Sequence, residues 1–355
     1  IILPVGISFY TFQTLSYTID VYRKDLEPTK SFMDFLFFVS FFPQLVAGPI
    51  VRASDFIPQI YEKLKITKED FNKALFLIIG GLLKKAVISD YISSNFVDRV
   101  FDAPNSYTAF ENLLASYGYT LQIYCDFSGY SDMAIGLALL MGFTLPPNFR
   151  TPYKSASVTE FWRRWHISLS SWLRDYLYIS LGGNRKGNVR TYFNLFMTML
   201  LGGLWHGANW KFVFWGVLHG LALGFERFFG QFVKFPKNYF VRTIQILLTF
   251  HFVIFCWLFF RAKDFQTAFQ IVDNISSVTF NLSQWQTILL GYKNVIFLML
   301  FGFLWHFIPE NGINRLEKGF NAVPIYIKAI LLGFVFWIVY ATASSGPQPF
   351  IYFQF

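Results

Sequence analysis

Residues 192–209 read Tyr192-Phe-Asn-Leu-Phe-Met-Thr-Met-Leu-Leu-Gly-Gly-Leu-Trp-His-Gly-Ala-Asn209, a largely apolar run that ends with a histidine among glycines. A helix of roughly 20 residues crosses the hydrocarbon core of a bilayer, which is about 30 Å thick. The run therefore predicts a membrane span. Ionisable groups are expensive in lipid and mark functional sites, so its histidine, His206, is a candidate catalytic residue.

The composition of the whole chain also indicates a protein that lies in a lipid bilayer. Its 355 residues are 54% hydrophobic, 21% aromatic and only 14% charged, which is more apolar surface than a soluble core of this length buries. We expect an all-α, polytopic membrane protein with a single membrane-embedded domain over residues 1–355. The other apolar runs of sufficient length are Phe71–Tyr91, Thr108–Tyr124, Phe212–Phe232, Val241–Phe260, Val295–Pro309 and Tyr326–Ala343.

Two features of the N-terminal part break this pattern. The apolar segment Phe32–Ile50 contains Pro43, Gly48 and Pro49, which a straight helix does not tolerate. It is therefore predicted to be interrupted or re-entrant. The chain opens at Ile1 without a methionine or a basic leader, so we expect that an N-terminal transmembrane portion is missing.

The charge distribution suggests an orientation and a class of ligand. The chain has a net charge of +9, and basic residues far outnumber acidic ones between Arg150 and Arg190, so the positive-inside rule places that stretch in the cytoplasm. Aromatic residues lie in apolar runs rather than among the cations, so nucleic acid is not expected. Anionic lipid or a phosphate-bearing substrate explains the charge better. Cys125 and Cys256 lie in apolar runs without metal-ligand spacing, and no metal motif is found.

A second candidate histidine, His166, lies in Phe161-Trp-Arg-Arg-Trp-His-Ile-Ser-Leu. Helical spacing predicts one amphipathic helix here, with His166 at the border of an aromatic face formed by Trp162, Trp165, Leu169, Trp172 and Tyr176. A neighbouring arginine disfavours the imidazolium, so His166 should be neutral. An interfacial helix that its tryptophans and arginines merely anchor is about equally compatible. The following Gly182-Gly-Asn-Arg-Lys-Gly is either a phosphate-binding turn or a basic one.

The glycines around His206 predict open space near its ring. Gly202, Gly203 and Gly207 leave room for a ligand, so we expect a cavity rather than a histidine packed between helices. A regular helix from Arg190 would place His206 about 24 Å further along, deep in the membrane. His219 is too distant to share the site unless the Gly-Ala-Asn break turns the chain back, so it is predicted to be a supporting residue. His251 and His306 are expected to hydrogen-bond between helices.

A polar cluster interrupts the apolar run that ends near Tyr124. Asp126 and Asp132 would be costly in lipid, so they should face the protein interior or a water-filled cavity. Ser128-Gly129 is expected to cap a helix that restarts there. A proton or ion path and a structural break are equally compatible with this cluster.

Six ordered motifs then carry a resemblance. The chain resembles the membrane-bound O-acyltransferase family, in its alginate O-acetylation branch, through Leu3-Pro-Val-Gly-Ile-Ser-Phe-Tyr-Thr-Phe-Gln, Phe41-Phe-Pro-Gln-Leu-Val-Ala-Gly-Pro-Ile, Asp126-Phe-Ser-Gly-Tyr-Ser-Asp-Met-Ala-Ile-Gly, Phe161-Trp-Arg-Arg-Trp-His-Ile-Ser-Leu-Ser, Gly182-Gly-Asn-Arg-Lys-Gly and Leu204-Trp-His-Gly-Ala. The resemblance implies interrupted helices around a central tunnel, with His206 as the catalytic histidine and His166 at the second active-site position. Residues expected to support the tunnel are Asp126, Ser128, Asp132, Trp165, Trp205, Asn209 and His219.

The implied reaction is acyl transfer from a thioester. His206 is predicted to be the base, and His166 to hydrogen-bond the donor carbonyl or position the second group. Acetyl-CoA or another acyl thioester is the expected donor substrate, with no bound cofactor. The residues expected to hold its phosphates are Arg163, Arg164, Arg174, Arg185 and Lys186.

The setting expected for this reaction is the inner membrane of a bacterium. The expected partners are the lipid bilayer, a polysaccharide acceptor and a periplasmic or surface acetyltransferase. Two alternatives stay open at this point: D-alanyl transfer to teichoic acid, and a non-enzymatic proton- or ion-coupled transporter that uses the aspartates and histidines.

Overall fold

The computed structural model describes residues 6–45, 48–233, 235–236 and 238–342, which form helices and turns with no β-strand among them. The all-α prediction is confirmed. The first part contains α1 (Ile7–Arg23), α2 (Phe32–Ser40), α3 (Phe42–Leu45), α4 (Ala53–Tyr61), α5 (Lys68–Leu82), α6 (Asp90–Ile92), α7 (Asp98–Asp102) and α8 (Ala109–Leu140). The second part contains α9 (Val158–Trp162), α10 (Ile167–Trp172), α11 (Gly187–Trp205), α12 (Trp210–Phe229), α13 (Tyr239–Arg261), α14 (Phe265–Ser276), α15 (Leu282–Gly291), α16 (Lys293–Phe307), α17 (Glu310–Ala322) and α18 (Ile325–Thr342). Between them lie π-helical turns at Leu83–Ser89, Ser93–Val97 and Leu173–Tyr178 and 3-10 turns at Pro104–Ser106 and Pro152–Lys154.

Among the described helices, α12, α13 and α18 are long and apolar enough to cross a membrane. They correspond to the predicted spans Phe212–Phe232, Val241–Phe260 and Tyr326–Ala343, although Ala343 itself lies outside the described residues. The predicted span Val295–Pro309 is α16, which meets the same criterion only together with α15. These two helices meet at 88°, so they form a broken span or a re-entrant loop.

Three other predicted spans are helical but too polar or too short to meet that criterion. Phe71–Tyr91 is divided between α5 and a π-helical turn, while Thr108–Tyr124 is only the first half of α8. Tyr192–Asn209 lies mostly in α11, whose first turn is polar and which ends at Trp205. Polar residues inside these helices are tolerated where protein rather than lipid surrounds them.

α8 is one continuous helix of 32 residues, about 48 Å long at 1.5 Å per residue. The predicted restart at Ser128-Gly129 is therefore wrong. The physical reason is that lysines from the π-helical turn at Leu83–Ser89 satisfy its carboxylates: Lys85 Nζ lies 2.6 Å from Asp126 and Lys84 Nζ lies 2.5 Å from Asp132. With these partners, the helix does not need to break.

Glycine allows the end of α5, just before that turn, to lie so close to α8. A Cβ on Gly129 would lie only 2.7 Å from the carbonyl oxygen of Gly81, and a Cβ on Gly81 only 2.6 Å from that of Gly129. The two backbones therefore touch, which keeps the lysine side chains within reach of the aspartates.

The interruption predicted in Phe32–Ile50 is confirmed within the part of this segment that the structure describes. α2 ends at Ser40 and α3 begins at Phe42, while Val46 and Ala47 lie outside the described residues. Gln44 Nε2 donates to the carbonyl oxygen of Phe38 across the break. The break therefore has an internal hydrogen bond rather than open carbonyls.

We predict that Lys85→Met lowers the free energy of unfolding by about 3 kcal/mol, because removing one partner of a buried ion pair strands the other charge. Lys85 bonds both Asp126 and Asp90. The thermal unfolding midpoint in detergent measures the effect. Lys73→Met, at an exposed position of α5, is the control. Equal midpoints for the two variants would contradict a stabilising function of this lysine.

Candidate active site

His166 lies in a turn, not within one continuous amphipathic helix. α9 ends at Trp162 and α10 begins at Ile167, with His166 in the left-handed region at φ 44°. The predicted single helix is wrong, because a helical wheel cannot detect a residue whose backbone reverses. A non-glycine residue at such a φ costs about 1–3 kcal/mol and persists only where its surroundings impose it.

The aromatic face predicted for this segment is nevertheless buried. Trp165, Leu169, Trp172 and Tyr176 all belong to the main hydrophobic core, and Trp162 packs against it. Trp165 lies between the Phe161 ring at 5.7 Å and the Trp257 ring at 5.0 Å. It is a packing residue of the core beneath the histidine turn.

Three aromatic rings surround the His166 imidazole. Ring centroids of Phe127, Phe9 and Trp205 lie 4.6, 6.4 and 6.4 Å away, and His166 is 1% exposed. These rings favour the uncharged imidazole, because a buried charge needs a partner. The Nδ1 atom of His166 lies 3.1 Å from Asn148 Oδ1.

His206 caps the C-terminal end of α11 and is half-buried. α11 is a regular helix from Gly187. The predicted distance along the helix from Arg190 to His206 assumed such regularity. The rings of Trp205, Phe260 and Trp215 lie 4.8, 5.1 and 5.2 Å from the imidazole. His206 therefore lies at a helix end, enclosed on several sides by aromatic rings.

Gly203 and Gly207 serve close packing, so the reason for which we expected a cavity at His206 is wrong, and the cavity itself stays a prediction. A Cβ on Gly203 would lie 2.3 Å from the carbonyl oxygen of Phe212, and one on Gly207 would lie 2.6 Å from the Phe212 ring. On the facing helix, a Cβ on Gly216 would lie 2.4 Å from the carbonyl oxygen of Met199. α11 and α12 touch along their backbones here.

This helix pair brings the histidines together. The chain reverses at Gly207-Ala-Asn209, and the Asn209 side chain accepts a hydrogen bond from the backbone N–H of Lys211, so the exposed Asn209 is a helix cap. His219, fully buried on α12, accepts a hydrogen bond at Nδ1 from Trp162 Nε1, 3.2 Å away. Its ring is 4.7 Å from Trp215, which also contacts His206.

Trp205 links the two predicted catalytic residues, since its ring lies 6.4 Å from that of His166 and 4.8 Å from that of His206. The structure thus gathers His166, His206, Trp205 and His219 in one aromatic region. It leaves Asp126 and Asp132 in their ion pairs and Ser128 buried on α8. The tunnel and the division of roles between the histidines stay predictions.

Beside this region, α10 and α11 border a cavity of about 480 Å³. Of the five cations predicted to bind a donor, Arg163 and Arg174 line it. Arg164 instead pairs with Glu160 at 2.9 Å, while Arg185 and Lys186 are exposed in the turn before α11. The density of basic residues along the sequence predicted donor binding for all five cations, because it contains no information on where each side chain points.

Sequence reasoning missed three residues of this region. Arg227 lines the cavity from α12, and the charged pair Glu226-Arg227 inside an apolar run was the available signal. Glu226 in turn accepts hydrogen bonds from the backbone N–H groups of Val158 and Thr159 at the start of α9. Asn148 lies in an extended stretch after two prolines, where no sequence pattern marked it.

The remaining two histidines hydrogen-bond to other helical segments, as predicted. His251 lies 2.8 Å from the Tyr117 hydroxyl, and His306 Nε2 accepts from the backbone N–H of Tyr153 at 3.1 Å. Cys125 and Cys256 are both free and buried in the core.

Residues 23–264 match the family described as MBOAT, membrane-bound O-acyltransferase. The chain belongs to this family. It is therefore a multi-pass membrane protein, and the predicted O-acyltransferase family and fold are confirmed. The match covers the His166 and His206 motifs, and it ends just after α13.

Relatives are similar over most of the chain. It is 41% identical over its whole length to a probable alginate O-acetylase of Pseudomonas putida, covering 76% of that protein. It is 46% identical over 83% of its length to the corresponding protein of Pseudomonas aeruginosa, and 40% identical over 78% to a peptidoglycan O-acetyltransferase of Helicobacter pylori. The chain spans only 55% and 57% of these last two relatives.

We predict that Gly216→Ala destabilises this family member by about 1–3 kcal/mol, because the added methyl group meets the α11 backbone. Gly224→Ala, on the same helix, is the matched control, since its Cβ would make only an ordinary contact of 3.8 Å with Tyr192. Thermal unfolding in detergent compares them. A Gly216→Ala variant as stable as Gly224→Ala would contradict the backbone contact.

Proposed function

We propose that the protein passes acyl groups, acetyl in particular, from a cytoplasmic thioester donor across the bacterial inner membrane for the O-acetylation of an exported or cell-wall polysaccharide. The observation that carries this proposal is the joining of His166 and His206 through Trp205 in a member of an O-acyltransferase family. The names of the similar proteins support a polymer acceptor such as alginate or peptidoglycan.

The chemistry needs one proton acceptor and one group that stabilises negative charge. As the hydroxyl oxygen attacks the acyl carbon, its proton passes to a neutral imidazole, and the thiolate leaves with the electrons of the C–S bond. The oxyanion formed on the way is stabilised by a hydrogen-bond donor near the carbonyl. Two histidines in one aromatic region can supply both functions.

The cavity beside α10 suits the phosphate-bearing part of the donor. Arg163, Arg174 and Arg227 line it together with hydroxyl groups from Thr159, Ser170, Ser171 and Thr198. Within the described residues, Arg163 and Arg227 have no ion-pair partner, whereas Arg174 is held by Asp175 at 2.6 Å. Arginine binds phosphate oxygens through paired N–H groups, so coenzyme A or a phosphopantetheine arm fits this lining.

The setting completes the proposal. The reaction uses no resident cofactor, and a periplasmic or surface acetyltransferase passes the acyl group on to the polymer. The ion pairs of Asp126 and Asp132 with lysines make a proton path through those carboxylates less favourable, so an enzyme is preferred over a transporter.

We predict that His206→Ala lowers kcat by about 10²–10⁴, the loss expected when either a proton-transfer group or a donor to the oxyanion is removed. Full-length protein in vesicles, supplied with labelled acetyl-CoA or an acyl carrier protein, measures transfer. His251→Ala removes a histidine from the exposed α13 surface and serves as the control. Undiminished transfer by His206→Ala would remove this residue from the reaction, and no transfer from any thioester by the wild type would refute the enzyme.

We predict that Arg163→Gln and Arg227→Gln each raise KM for the donor about tenfold, equivalent to about 1.4 kcal/mol of lost binding, while kcat changes little. The reason is that each removes a charge from the cavity and leaves the histidines in place. Arg315→Gln, at an exposed position of α17, is the control. Unchanged KM in both cavity variants would place the donor elsewhere.

A further inference from the structure

Asn148 is a buried residue whose side chain meets the histidine turn at several points. It is 1% exposed, and its Oδ1 atom lies 3.1 Å from His166 Nδ1, 2.9 Å from Ser168 Oγ and 3.3 Å from the backbone nitrogen of Ser168. Its Nδ2 atom donates to Ser131 Oγ at 3.2 Å. The backbone carbonyl of Asn148 accepts from Ile167 N–H at 2.9 Å, so the whole residue is tied to this turn.

The donors around Asn148 identify the amide atom that faces His166. A backbone N–H can only donate, so the atom near the Ser168 nitrogen must be the amide oxygen. Ser168 Oγ already accepts from the backbone N–H of Ile50 at 3.0 Å, which leaves its own proton for Asn148. Since Oδ1 can only accept, the proton between it and the imidazole lies on His166 Nδ1.

The other ring nitrogen then has a lone pair. A neutral histidine carries one N–H, so Nε2 of His166 is an acceptor. This atom is buried and has no hydrogen-bond partner among the described residues. It belongs to a ring that faces Phe127, Phe9 and Trp205, with His206 near enough to act on it electrostatically. An acceptor left open in an aromatic enclosure, on a residue with a strained backbone, is arranged for a group that arrives from outside.

We propose that Asn148 is a positioning residue that holds His166 in the Nδ1–H tautomer, so that Nε2 receives the proton of the attacking hydroxyl. This inference rests on the proposed function. The hydroxyl proton moves to Nε2, the oxygen bonds to the acyl carbon, and the sulfur leaves with the C–S electron pair. The imidazolium, which Asn148 Oδ1 still accepts from at Nδ1, then returns the Nε2 proton to the thiolate.

The proposal differs from the division of roles that the sequence predicted. An Nε2 atom without a proton cannot donate to a carbonyl oxygen, so His166 accepts a proton and stabilisation of the oxyanion falls to another group in the region. His206, on the other side of Trp205, is the neighbouring residue for that function.

The tautomer can be tested without any turnover. Nitrogen-15 NMR of histidine-labelled, full-length protein in vesicles, with the His166 signals assigned from their loss in His166→Gln, should show a protonated Nδ1 and an unprotonated Nε2. Asn148→Leu should remove this preference. A wild-type His166 protonated at Nε2 would overturn the proposal.

Turnover then separates positioning from simple packing. Asn148→Leu should lower kcat about 100-fold with KM for acetyl-CoA unchanged, since a mispositioned base slows only proton transfer. Asn148→Asp keeps an acceptor at Nδ1 and should recover activity to within about tenfold of wild type. The acidic limb of the pH–rate profile of Asn148→Asp should move to higher pH, because a carboxylate stabilises the imidazolium. His206, which also acts on His166 electrostatically, is unchanged in these variants.

The matched control is Asn112→Leu, which removes another fully buried asparagine whose amide donates to Pro104 and Thr108 carbonyls. It should lower stability but leave the tautomer and the pH profile unchanged. An Asn148→Asp variant as slow as Asn148→Leu, with a wild-type pH profile, would overturn the proposal. A wild type with the Nδ1–H tautomer that transfers no acyl group would instead refute the proposed function and leave the positioning by Asn148 standing.

Discussion

The backbone contact between α11 and α12 is the constraint on which the candidate active site depends. Gly203 and Gly216 lie where any side chain would meet the opposing backbone, so the helices approach more closely than side chains usually allow. In lipid, where no hydrophobic effect drives helices together, such close packing is a main source of association. It turns the chain back just after His206, which brings Trp215 against the imidazole and His219 against Trp215.

Close backbone contact at glycines also positions the charged groups. Lys84 and Lys85 pair with Asp132 and Asp126 across another glycine contact, between Gly81 and Gly129. Each of these four charges has a partner of opposite sign close by, which offsets part of its desolvation. The polar motif on α8 is thus tied to the neighbouring lysines, while Arg163 and Arg227, which have no ion-pair partner among the described residues, border the cavity beside α10.

Around His166 the polar contacts converge on the side-chain oxygen of Asn148. Ile50 donates to Ser168, and both Ser168 and the imidazole donate to Asn148. Because the imidazole donates at Nδ1, its Nε2 keeps a lone pair that no described residue satisfies, on a ring enclosed by aromatic side chains. In a reaction centre, the groups that position the reacting atom already have their hydrogen bonds, while the reacting atom itself is available to the substrate. Hydrogen bonds made in advance need no rearrangement during the reaction.

Composition and residue spacing were sufficient to predict an all-helical membrane protein, the two histidines, the interrupted segment before Ile50 and the buried aromatic face, because each depends on apolar content or local periodicity. They could not predict the reversed backbone at His166, the unbroken α8, the packed glycines or the separation of Arg163 from Arg164. Those features depend on partners distant in sequence: the lysines that pair with the α8 carboxylates, the Phe212 backbone that meets Gly203, and Asn148, which lies 18 residues before the histidine it contacts. Local pattern specifies which residues are apolar or reactive, whereas their contacts are decided by tertiary packing, since hydrogen bonds and steric exclusion act only between groups that the fold has brought together.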